Sequence, residues 1–78
     1  MFYVYILRSE KSGRYYIGYS ENPAARLAEH NSGKVISTRH YRPWTKVYQE
    51  EFLTEQQAVQ RERQIKSMKS RRYIESLF

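Results

Sequence analysis

A run of large aromatic and β-branched residues opens the chain. Phe2 to Leu7 (FYVYIL) is aromatic and β-branched, and Arg14 to Ser20 (RYYIGYS) resumes the pattern after the turn-forming Ser9 to Gly13 (SEKSG). Two such runs around a short turn predict a β-hairpin. Side chains alternate faces along a strand, so Tyr3, Tyr5 and Leu7 share one face, and Tyr16, Gly18 and Ser20 share one on the next strand. A register centred between Glu10 and Lys11 sets Tyr5 opposite Tyr16; an even-numbered slip leaves them diagonal on the same face. Asn22-Pro23 then predicts a helix start, with Asn as N-cap and Pro in the first turn, and Gly33 a natural stop. Lys34 to Pro43 reads as a basic, polar loop. Trp44 to Phe52 reads as a third strand whose imperfect alternation leaves its facing open. Thr54 and Gln57 form a capping box for a second helix through Ala58, Glu62 and Ile65 to about Lys69. A short terminal helix is expected around Arg72 to Phe78. The order β-β-α-β-α-(α) predicts one small α/β (α+β) domain over residues 1–78, with a mostly antiparallel sheet.

Four positions stand out from this pattern. Glu62 falls on the stripe that should be buried, where a carboxylate must be paired, lie at the stripe's edge, or bind something. Gly18 interrupts a strand, marking a bulge or a close approach of backbone or ligand. Arg26 and His30, four residues apart, share a face of the first helix. Each has an ordinary reading: an edge glutamate paired with a basic residue of the sheet, a solvated helix face, a histidine at a favourable helix C-terminus.

Composition narrows the chemistry. The 78 residues contain no cysteine, and all eight acids are glutamate. Disulfides, thiolate zinc sites, thiol catalysis and aspartate-dependent triads are excluded. Fourteen Lys and Arg give a formal charge of +6. Arg61, Arg63, Lys66, Lys69, Arg71 and Arg72 crowd a segment whose only acid is Glu62, while Lys34, Arg39, Arg42 and Lys46 flank or occupy the loop before the third strand. Such imbalance, interleaved with tyrosines, points to a polyanionic partner, nucleic acid above all. The basic helix lacks a broad apolar face, so no membrane partner is expected. A cytoplasmic location is expected from the missing cysteines and the lack of a signal-peptide pattern.

Tyr3-Val4-Tyr5, then Tyr16-Ile17-Gly18, Arg26, His30 and a late helical Glu62 form an ordered set. The set resembles the GIY-YIG nuclease superfamily, which includes phage homing endonucleases and the N-terminal domain of the repair nuclease UvrC. The segments YVYILRS, YYIGYS, RLAEHNSG, RPWTKVYQEEF and AVQRERQIK are most similar to its small, stand-alone YhbQ-like branch. The resemblance implies a three-stranded antiparallel sheet flanked by helices. It further implies a catalytic set of Tyr5, Tyr16, Arg26, His30 and Glu62, with Glu62 holding one divalent Mg²⁺ or Mn²⁺. Tyr3 and Val4 stand where the family motif has glycine and isoleucine, and no asparagine follows Glu62 as it does in several nucleases.

By this resemblance the chain is expected to be a metal-dependent endonuclease acting in DNA repair or processing, with DNA favoured over RNA. The alternative is a non-catalytic basic binding module on the same fold. Tyr5 or His30 would be the general base, and the five residues are expected to converge on one shallow, positively charged groove across the sheet. Gly18, Arg39, His40, Lys66, Lys69, Arg71 and Arg72 are expected to contact nucleic acid. The protein is expected to be a monomer or weak dimer.

Overall fold

A computed structural model describes all residues, Met1–Phe78. The chain runs through β1 (Phe2–Ser9), β2 (Tyr15–Ser20), α1 (Pro23–Ser32), a 3₁₀ turn (Arg39–Tyr41), β3 (Trp44–Phe52), α2 (Glu55–Met68) and α3 (Arg71–Glu75). The strands form one antiparallel sheet in the order β2-β1-β3, the α+β architecture expected. The helix signals act as predicted. Asn22 Oδ1 accepts from Ala25 N, Gly33 closes α1 at φ 88°, and Thr54 and Gln57 form both bonds of the capping box. The terminal helix is displaced: Ser70 caps α3 through Tyr73 N, and α3 ends at Glu75.

The hairpin register differs from the expected one by two residues. Tyr5 faces Gly18, and Leu7 faces Tyr16. The cause lies in the turn, where Ser9 Oγ accepts from Lys11 N and Ser12 N and Gly13 takes φ 76°. These bonds move the turn's centre to Lys11–Ser12. Tyr5 and Tyr16 stay on one face, now diagonal. In the β1–β3 pairing, Ile6 faces Tyr48 but Leu7 faces Lys46, so Val47 is an extra residue on β3. That bulge explains the broken alternation of the third strand.

Both sheet faces are covered. Val4, Ile6 and Ile17 pack against Ala58 and Ile65 of α2, with Tyr73, Ile74 and Leu77 closing the same core. On the other face Tyr5, Leu7 and Trp44 pack with Tyr16, Leu27 and Tyr41. A small domain gains most from such bulky aromatic burial. The second, more polar core contains the candidate chemistry.

Candidate active site

β1 delivers Tyr5, the edge strand β2 delivers Tyr16, and α1 delivers Arg26 and His30 to that second core. Tyr5 Oη lies 3.3 Å from His30 Nε2, and the Tyr16 ring is tilted against the His30 ring at 4.6 Å between centroids. The Tyr5 hydroxyl lies directly over the Gly18 backbone: a Cβ built there would meet Tyr5 Oη at 2.6 Å. The close approach foreseen at Gly18 is thus filled by Tyr5 itself. Gly18 is buried, which removes it from the expected nucleic-acid contacts.

A chain of buried hydrogen bonds runs from Thr38 through His30 to Tyr5. His30 Nδ1 is 2.8 Å from Thr38 Oγ1, and Thr38 Oγ1 donates to Val35 O. When the threonine hydrogen goes to Val35 O, 3.4 Å away, Nδ1 carries the imidazole proton and Nε2 accepts from the Tyr5 hydroxyl. Burial, aided by the Arg26 charge and opposed by Glu29, lowers the His30 pKa and keeps the ring neutral. Trp44 Nε1 donates to Thr38 O, and Asn31 clasps Trp44 by accepting from its N–H and donating to its carbonyl. Thr38, part of the polar loop in the sequence, is 2% exposed. Nothing in the local spacing singles it out, because its partner is eight residues away on α1.

Burial raises the Tyr5 pKa, and Arg26 opposes that shift. Arg26 in turn is held charged by the Tyr5 hydroxyl and by Glu29, whose carboxylate is 2.7 Å from it. The Arg26 side chain is about one-third exposed, at 34%. Tyr5 and His30 are 1% and 0% exposed, so Arg26 and the half-buried Tyr16 present this group to solvent.

Glu62 joins at longer range. It projects from α2, the helix packed on the opposite face from α1, and its charge adds only the least of the effects that raise the Tyr5 pKa, after burial and Tyr16. Four of the five expected residues thus meet on the α1 face, and Glu62 is carried by the helix on the other. This differs from the open groove expected across the sheet: the surface concavities lie elsewhere, since Tyr5 and His30 pack under the surface. The partner expected for Glu62 in the ordinary reading, a base on the sheet, is instead Lys66 of its own helix at 3.5 Å.

The basic residues divide into free and engaged. Arg71 bonds Gly13 O at 2.9 Å, pairs with Glu75 at 3.1 Å and stacks on Tyr15, so it is a clip between α3 and the hairpin turn. Its side chain nonetheless stays 54% exposed. Arg61 is likewise committed to Glu50, Gln64 and Tyr73. Lys66 faces Glu62, whereas Lys69 and Arg72 are exposed without an ion pair. Arg39 and His40 are exposed on the 3₁₀ turn that follows Thr38.

The model of the GIY-YIG catalytic domain matches residues 1–74. The chain belongs to the GIY-YIG family. Within that nuclease family it is 44% identical over 66 residues to a UPF0213 protein of Staphylococcus haemolyticus, covering 83% of this chain and 79% of the relative. A UPF0213 protein of Halobacterium salinarum is 38% identical over the whole length of both chains. The solution NMR structure of a UPF0213 protein from Bacillus halodurans superposes with a TM-score of 0.61 at 35% identity, over 99% of this chain and 82% of that one. The family and its nuclease fold are thereby established for this chain.

Proposed function

We propose that this protein is a metal-dependent endonuclease that hydrolyses phosphodiester bonds in nucleic acid, with DNA the preferred substrate. The observation that carries the proposal is the Tyr5 hydroxyl, 3.3 Å from His30 Nε2, with the Tyr16 ring beside it and Arg26 opposing the rise in its pKa. Phosphodiester hydrolysis needs an activated water and neutralisation of charge developing on phosphate. Arg26 suits the second task, since a guanidinium can donate two charge-assisted hydrogen bonds to phosphate oxygens. For the first, the water gives its proton to the Tyr5 oxygen as the Tyr5 proton moves to His30 Nε2. The water oxygen bonds to phosphorus while the bond to the leaving sugar oxygen breaks, and that oxygen takes a proton from solvent. Tyr5 need not be ionised at rest in such a relay, which suits a hydroxyl whose pKa is raised. Tyr16 orients the water or the phosphate from the same face.

The donor set fits one hard cation. The Glu62 side chain is 16% exposed, and its single ion pair is the wide contact to an exposed lysine. No cluster of three or more acids and histidines exists, so Glu62 would hold Mg²⁺ or Mn²⁺ alone, with waters and phosphate oxygens completing the shell. A cation held there would supply Lewis-acid polarisation of the phosphate.

The burial of Tyr5 and His30 favours a second reading, a binding module without cleavage. One assay separates the two. Labelled DNA and RNA duplexes, branches and single strands are incubated with and without Mg²⁺ or Mn²⁺, using wild type and Arg26→Ala. Metal-dependent cleavage lost in Arg26→Ala supports the nuclease. Salt-sensitive binding with no cleavage under any condition supports the module.

A further inference from the structure

The most basic concavity of the molecule lies beside the candidate site, and the chemistry above does not use it. It is an open depression of about 430 Å³ between the hairpin turn and the loop before β3, lined by Lys11, Asn31, Arg39, His40, Arg42 and Pro43. Three of these are full cations, one is an imidazole, and none is an acid. Two are held in place by the backbone: Lys11 Nζ donates to His40 O at 3.2 Å, and Arg42 Nε donates to Arg39 O at 2.7 Å. Arg42 also rests its guanidinium on Gly33, where a Cβ would meet Nη1 at 2.7 Å, so the left-handed glycine that ends α1 leaves space for it. Lys11 and Arg42 are thus oriented without being neutralised, since carbonyl acceptors carry no formal charge. Arg39 and His40 have no side-chain partner at all. With Lys11 and Arg42 already oriented, an anion site here needs only Arg39 and His40 to be ordered on binding.

The loop also fixes where this site stands relative to the candidate catalytic group. Asn31, on its wall, follows His30 directly. Thr38, which holds His30, directly precedes the 3₁₀ turn carrying Arg39 and His40. The inner side of the loop sets the imidazole, and the outer side presents the cations.

We infer that this concavity is a second phosphate subsite, which grips an internucleotide phosphate of the bound strand away from the one being cut. The inference rests on the nucleic-acid reading above and specifies its substrate: a strand long enough to reach from Arg26 to Arg39. Phosphate is favoured over carboxylate by the guanidinium forks of Arg39 and Arg42.

The test uses the full chain, labelled with ¹⁵N, titrated first with inorganic phosphate and then with a short oligodeoxynucleotide duplex. Both probes should shift the amides of Lys11, Asn31, Arg39 and His40, and Arg39→Gln should weaken the response to each several-fold. For the duplex, Arg39→Gln should also reduce the slope of log affinity against log salt by about one. Saturation by the duplex with no localised response to inorganic phosphate would still support the subsite, as one needing a diester within a strand. Shifts scattered over all exposed cations, or an Arg39→Gln slope equal to wild type, would overturn it. Cleavage is recorded in parallel. Wild-type cleavage with an unchanged Arg39→Gln slope rejects the subsite and leaves the nuclease standing. Localised shifts without cleavage reject the nuclease and leave the subsite standing.

Discussion

Gly18 has no side chain because Tyr5 occupies its space. An alanine Cβ there would lie 2.6 Å from the Tyr5 hydroxyl and 2.8 Å from Cζ, so the phenol must move. Gly18→Ala is expected to lose about 1–3 kcal/mol of stability by overpacking, and to lose cleavage more completely than stability, read by thermal melting and a cleavage assay on the same preparation. Thr38 acts one bond further out. Without its hydroxyl the imidazole proton is no longer fixed on Nδ1; with that proton on Nε2, His30 could only donate to Tyr5 and could not receive its proton. Thr38→Val should therefore lower turnover and change the His30 tautomer seen by ¹⁵N NMR, while Thr38→Ser restores both. The pKa of His30 also links stability to pH. The folded ring resists protonation relative to its ordinary value of 6.5, so the unfolded chain takes up the proton first. The contribution is fully present above pH 6.5 and is lost as pH falls through the folded value. Melting temperature should fall over that window, and less so in a variant where His30 is replaced by glutamine.

At the level of elements, the signals that rest on local chemistry were legible: the Asn-Pro helix start, the capping box, the glycine stop and the three strands. Signals set by partners distant in sequence were not. The hairpin slipped by two residues because Ser9 organises a longer turn than its composition advertises. The candidate set Tyr5, Tyr16, Arg26 and His30 was legible, since same-face parity survives an even slip and α1 spacing is fixed by the helix. Its depth was not, because burial of Tyr5 and His30 depends on the loop that folds over them through Thr38 and Trp44. The basic run from Arg61 to Arg72 looked uniform in sequence, yet Arg61 serves the fold. It joins β3, α2 and α3 by bonding Glu50 at 3.1 Å and Tyr73 at 3.1 Å, while Tyr48 donates to the same glutamate. These side chains are only 18% and 29% exposed, for Arg61 and Glu50. Glu50→Gln leaves Arg61 with a weakened partner, and about 1–3 kcal/mol of stability should be lost. In a domain of this size that corresponds to a melting point several degrees lower, with affinity for nucleic acid unchanged at temperatures where the variant is folded.

As a whole molecule, the protein measures 30 × 27 × 19 Å. One turn of duplex DNA is about 34 Å long, so a single copy spans less than a turn and has one candidate site to apply to one strand. Cleavage of supercoiled plasmid should therefore pass through nicked circles before linear product, at enzyme concentrations where the protein is monomeric. Direct appearance of linear product would mean that two copies act together. The claim on which the functional reading depends is that Glu62 serves chemistry, although it lies on the helix covering the opposite face from Arg26. Glu62→Gln keeps size and hydrogen bonding and removes the charge. Cleavage, duplex affinity and melting temperature are measured together on wild type and variant while Mn²⁺ is titrated. The expected result is a folded variant that binds nucleic acid at least as well, since a negative charge facing phosphate is gone, and that no longer cleaves at any Mn²⁺ concentration. A lowered melting temperature with undiminished cleavage by the folded fraction would contradict it, and would make Glu62 a structural partner of Lys66.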